Sequence, residues 1–180
     1  MQNDFLLPES PLCVKCGLDC LPRVQEAVAK ARAAGVPVFW VIREHEPSGL
    51  DIEWTRKHLL ESGDGSGAGA TLPGSSGAQL IDGLSVEKGD HVLIKKRYSA
   101  FFHTHLDLML RRLGTRSVVL VGVQTPNCIR ATATDALGLD YGCIVLSDAT
   151  ASKSIEVQDS NLEDMRCMGL TIATTAEWAP

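Results

Sequence analysis

Residues 120–136 read LVGVQTPNCIRATATDA, and they join two kinds of pattern. The apolar run Ser117–Gly122 (SVVLVG) carries branched aliphatic residues on both faces, as a strand buried on both sides does. After Gly122 comes a turn with Gln124, Thr125 and Pro126. Asn127–Leu139 then repeats apolar positions at helical spacing. A buried strand that turns at once into a helix is the unit from which parallel sheets covered by helices are built.

The same alternation extends outward in both directions. VQEAVAKARAA, residues 24–34, has helical spacing, with Asp19 available as a cap, Pro22 in the first turn and Gly35 as the stop. VPVFWVI, residues 36–42, predicts a buried strand. GDGSGAGATLPGSSG, residues 63–77, predicts a surface loop. Val92–Lys95 predicts a strand and Leu106–Leu113 a helix. Beyond the opening stretch, Cys143–Leu146 predicts a strand, Glu156–Met168 a helix and Leu170–Ala173 a last strand. The pattern predicts an α/β fold: a three-layer α/β/α sandwich around a parallel, Rossmann-like sheet, forming a single domain over residues 1–180.

Composition narrows the function classes. Of 180 residues, 44% are apolar, enough for a core, and the net charge of −5 with scattered Lys and Arg gives no nucleic-acid surface. No apolar run approaches the roughly 20 residues of a membrane span, and no charged-then-apolar leader opens the chain. Six cysteines, three clustered at Cys13, Cys16 and Cys20 and three dispersed at Cys128, Cys143 and Cys167, fit a reducing cytoplasm better than a disulfide framework. Cys13 and Cys16 form a C-x-x-C pair, but no second ligand pair follows, so no metal is assigned.

Chemistry in such sheets gathers where strands end and helices begin. VLIKKRYSAFFHTHLD, residues 92–107, leaves a strand with two lysines, an arginine and a tyrosine; composition alone makes it a solvated strand end. Cys128 stands differently. A thiol in the first turn of a helix sees the positive end of the dipole and free backbone N–H groups, both of which favour the reactive thiolate.

These segments together resemble the isochorismatase-like hydrolases, whose members include nicotinamidases, N-carbamoyl amide hydrolases, ureidoacrylate amidohydrolases and the isochorismatases. GVQTPNCIRATATDA is similar to the family's cysteine segment, IKKRYSAFFHTHLD to its lysine segment, and MQNDF at residues 1–5 to its first motif. The resemblance implies Cys128 as nucleophile and Lys95, not its neighbour Lys96, as the catalytic lysine. It implies an oxyanion hole from the backbone N–H groups of Gln124 and Cys128, beside a cis peptide after Val123. It implies cleavage of a C–N bond in a small amide, ureido or N-carbamoyl substrate through a covalent acyl-enzyme, without a cofactor, in a homo-oligomer.

In the family the first strand ends in an aspartate immediately before the Met of this motif, and that aspartate is the proton carrier. The resemblance therefore implies that this strand and its aspartate precede Met1, with an internal Met of a longer protein taken as the start. Asp4 matches the second acidic residue of the motif and is expected to serve a turn or cap. The nicotinamidase branch holds a metal on Asp-x-His; here IREHEP, residues 42–47, has Arg43 at the aspartate position and His45 at the histidine, so no metal is expected. Arg43 is either a clamp for a substrate carboxylate or a surface partner of Glu44 or Glu46. Arg97, Tyr98 and Phe101 either line the substrate pocket or, for the aromatics, belong to the core. Two rival readings stand beside the hydrolase: an inactive, truncated member serving as scaffold or binding protein, and an isochorismatase-type vinyl ether hydrolase.

Overall fold

The computed structural model describes residues 1–60 and 71–180. The predicted loop at 63–77 thus falls partly outside the described residues; 71–77 is irregular and turn-rich, as its glycines and proline predict. Strands and helices follow in the order α1 (Asn3–Leu6), α2 (Leu21–Ala33), β1 (Phe39–Arg43), a 3-10 turn (Trp54–Leu59), β2 (His91–Lys95), α3 (Leu106–Arg112), β3 (Ser117–Val123), a π-helical turn (Thr125–Ile129), α4 (Arg130–Gly138), β4 (Gly142–Ala151), α5 (Ile155–Cys167) and β5 (Thr171–Ala173).

Every pairing between these strands is parallel, as the two-sided apolar runs require. β1 pairs with β2, Phe39 opposite His91 through Arg43 opposite Lys95. β4 lies between β3 and β5. Helix α2 buries Val24 and Ala27 against one face with Leu146, Ala149 and Ala151. Helices α3, α4 and α5 close the other face through Leu106, Leu110, Ala133, Ala136, Leu162 and Met165. Sheet and helices thus form the expected three layers.

The sheet is in two parts among the described residues, because β1 and β3 are not hydrogen-bonded to each other. Between their facing edges lies a cavity of about 330 Å³, walled by Phe39 and Val41 on one side and by Val119 and Val121 on the other. Its two faces differ: Phe39, Val41 and Val118 pack toward α3–α5, whereas Val119, Val121 and Met1 pack toward α2. At the end of this cleft Gln2 acts as a backbone substitute. Its side-chain oxygen accepts from the Arg43 N–H at 2.8 Å, and its amide nitrogen donates to the Arg43 carbonyl at 2.8 Å.

Local boundaries differ from the sequence pattern for identifiable reasons. Helix α2 starts at Leu21 with Cys20 before it and no side-chain cap, so Asp19 is not the cap; Gly35 ends it at φ +69°, where a side chain would be strained. The predicted strand 36–42 becomes Phe39–Arg43. The predicted helix from Asn127 opens instead as the π-helical turn from Thr125. β4 is longer than predicted and runs on through polar Ser147, Asp148 and Thr150. Its register against β3 jumps between Leu120 and Gly122, and Gly122 sits at φ +101°. Asp4, expected in a turn or cap, lies inside α1 and caps no helix; its carboxylate instead accepts from the distant Thr71 N–H at 3.0 Å.

Candidate active site

Cys128 and Lys95 meet where β2 ends and the π-helical turn begins. Thr132 ties the two segments together. Its hydroxyl donates to the Cys128 carbonyl at 2.7 Å and accepts from the Ala100 N–H at 3.0 Å, so the cysteine turn and the segment after Lys95 move as one. Lys95 is 5% exposed, its ammonium donates to the Tyr98 carbonyl, and it shares a cavity wall with Cys128. Lys96, one residue on, points the other way and pairs with Asp51 at 2.8 Å, as strand alternation demands.

The electrostatics favour a reactive sulfur. Burial pushes the Cys128 thiol up, but the Lys95 ammonium, its hydrogen bond, the Arg43 charge and the Gln124 backbone N–H outweigh it and hold the thiol below its ordinary value. Burial in turn lowers Lys95, while Cys128 opposes that shift. The peptide between Val123 and Gln124 is cis, as the resemblance implies. The Cys128 thiol stands between two cavities: it lines the cleft of about 330 Å³ together with Lys95, and it lines a smaller one. That cavity, about 70 Å³, is lined by Cys128, Gln124, Asn127, Tyr98, Arg43 and Arg56, among others.

Arg43 is buried, at 2% exposure, and neither Glu44 nor Glu46 is its partner. Its Nη2 donates to both carboxylate oxygens of Glu53 at 2.5 Å, and its Nε donates to His45 Nε2 at 2.8 Å. Since His45 Nε2 accepts, its proton sits on Nδ1, facing Asp51 Oδ1 at 3.3 Å. Burial and then Arg43 lower the His45 pKa, so the ring is neutral with both nitrogens engaged. That set does not fit a metal: a cation occupies the neighbouring ligand position. Among the described residues there is no group of three or more His, Cys, Asp or Glu placed to hold one.

The remaining predicted residues divide. Tyr98 lines the small cavity, its ring between the guanidiniums of Arg43 at 5.3 Å and Arg56 at 5.5 Å. Arg97 turns away and donates to the Asp51 carbonyl at 2.5 Å. Phe101 packs in the core against Tyr141, ring centroids 5.9 Å apart. Sequence reasoning missed Glu53, Asn127 and Arg56. Asn127 stood inside the quoted cysteine segment and was passed over for its neighbour. Glu53 and Arg56 lie in a stretch without periodicity, and only the fold brings them to the site.

Comparison with known proteins is in keeping with this geometry. The isochorismatase domain family matches residues 1–177. The chain is 41% identical to a protein of Arabidopsis thaliana named a probable inactive nicotinamidase, over 99% of this chain and 91% of that protein. It is 35% identical to the ureidoacrylate amidohydrolase of Methylobacterium radiotolerans, over 72% of this chain and 54% of that protein. Among solved structures, an isochorismatase family protein from Desulfovibrio vulgaris superposes with a TM-score of 0.93 at 42% identity, over 98% of this chain and 90% of that chain.

Proposed function

The chain belongs to the isochorismatase family of hydrolases, and from that premise we propose that it is a cysteine hydrolase cleaving a C–N bond of a small amide, ureido or N-carbamoyl compound. The observation that carries this reading is the buried Lys95 ammonium sharing a cavity wall with Cys128, where it pulls the thiol below its ordinary value. A thiolate held by a buried ammonium attacks the carbonyl carbon and forms an acyl- or carbamoyl-enzyme. The N–H groups of Gln124 and Cys128 receive the oxyanion, a contribution typically worth about 3 kcal/mol per donor. Lys95 keeps the sulfur ionised before attack and balances the charge during it.

Collapse of the tetrahedral adduct expels the nitrogen, which must gain a proton. Among the described residues no carboxylate is hydrogen-bonded to Cys128 or Lys95. The nitrogen must then draw its proton from the Lys95 ammonium or from solvent, which slows formation of the acyl-enzyme, and water must attack that acyl-enzyme without a general base, which slows its clearance. Incubation with a ureido acid, followed by intact-mass measurement, should show a covalent adduct on Cys128. A single unchanged mass together with no release of amine or ammonia, under every substrate of these classes, would sink the hydrolase reading.

A second reading, a family scaffold that binds without turnover, is favoured by the name of the 41% identical plant relative. The pH dependence of iodoacetamide labelling separates the two. A Cys128 that titrates like an ordinary thiol, near pH 8.5, supports the scaffold.

A further inference from the structure

Resting on the hydrolase reading, we infer that Arg56 is the specificity residue of this site and that the preferred substrate carries a free carboxylate. Two guanidiniums line the cavity beside Cys128, and they are not equivalent. Arg43 is committed, its donors taken by Glu53 and His45. Arg56, on the 3-10 turn Trp54–Leu59, stacks over Tyr98 at 5.5 Å. No carboxylate among the described residues is hydrogen-bonded to it. Glu53, the acid closest in sequence, has both oxygens engaged by Arg43.

A half-buried guanidinium with unused donors in a cavity is a binding element for an anion of planar shape. Tyr98 fixes its plane by stacking, which limits the freedom lost when a ligand is bound. Glu53 balances one of the two guanidinium charges, so the pair of arginines leaves the cavity net positive, and Arg56 supplies the hydrogen bonds. A substrate bound between Arg56 and the Gln124 N–H presents its carboxylate to the first and its amide or ureido carbonyl to the second. A compact ureido acid meets both requirements, whereas a neutral aromatic amide leaves Arg56 without a partner.

The test uses protection of Cys128 from iodoacetamide, so that it does not depend on turnover. N-carbamoylglycine and its methyl ester are compared as protectants of the intact chain, of Arg56→Gln and of Arg56→Lys. The acid should protect the intact chain at a concentration about tenfold or more below that of the ester, the worth of a charged hydrogen-bonded contact. Arg56→Gln should erase that difference while the ester continues to protect, which also shows that the variant is folded. Arg56→Lys should retain only part of it, because the fork is lost and the charge kept. Equal protection by acid and ester in the intact chain, no protection by either, or a preference that survives in Arg56→Gln overturns the inference. Protection by the acid without any Cys128 adduct leaves the anchor in place and removes the hydrolase reading instead.

Discussion

Two lysines adjacent in sequence have opposite fates, and the difference is measurable. Lys95→Ala removes the cation that holds the Cys128 thiol below its ordinary value. Iodoacetamide reactivity plotted against pH should shift its midpoint upward, and most turnover should be lost. Lys96→Ala removes only a pair with Asp51 whose lysine is 39% exposed, and the same curve should stay in place. Glu53 is a different kind of residue. It neutralises a buried guanidinium, so Glu53→Gln leaves the Arg43 charge inside the protein without its counter-ion. Loss of one partner of such a pair costs about 3 kcal/mol, read as a fall in the urea midpoint with an unchanged slope. Cys128 was legible from its place at the start of a helix after a buried strand, and Lys95 only through the resemblance of its segment to the family's lysine motif. Glu53 was not, because a counter-ion is chosen by proximity in space, and ten residues of irregular chain separate it from Arg43.

At the scale of the element, strands were recognised more securely than their ends. Apolar runs set the existence of β1, β3 and β4, but hydrogen-bond partners set their lengths. β4 continues through Ser147, Asp148 and Thr150 because β3 resumes pairing with it after the irregularity at Gly122. The alternation of backbone groups along β3 gives a prediction. The Gly142 N–H donates to the Arg116 carbonyl, so Arg116, Val118 and Leu120 face β4 and Val119 faces the cleft toward β1. Native-state hydrogen exchange should find the amides of Val118 and Leu120 slow and that of Val119 faster by orders of magnitude, as for a group without a ladder partner. Equal protection at all three positions would show that the cleft is closed in solution. At the start of α5, the Ser154 hydroxyl accepts from the Val157 N–H. Ser154→Ala should lower stability by about 1 kcal/mol, seen as a lower melting temperature.

For the molecule as a whole, acid should weaken the fold in two stages. His45 has its pKa lowered by burial and by Arg43. The unfolded chain therefore takes up that proton first, and stability falls as pH drops below about 6.5. Asp90 is held at about 2 by Arg32, with Trp40 and the Glu87 N–H assisting. Its contribution is whole above the unfolded carboxylate value and is lost as pH falls from about 4 through 2. Urea midpoints measured from pH 8 to pH 2 should show both declines, and Asp90→Asn should make the lower one shallower, with Asp51 and Glu53, also held below the ordinary carboxylate range, carrying part of the rest. Taken alone, the sequence determined the layers and the parallel direction of the strands, and through its family resemblance it pointed to Cys128 and Lys95. The first two follow from local periodicity, the last from motifs whose residue types recur in the family. Only the tertiary structure decided that Arg43 is spent on Glu53 and His45, that Phe101 packs on Tyr141 while lining the larger cavity, and that Arg56 stands beside the thiol. Those outcomes depend on which distant segments compete for the same donors and the same space, and that competition exists only once the chain has folded.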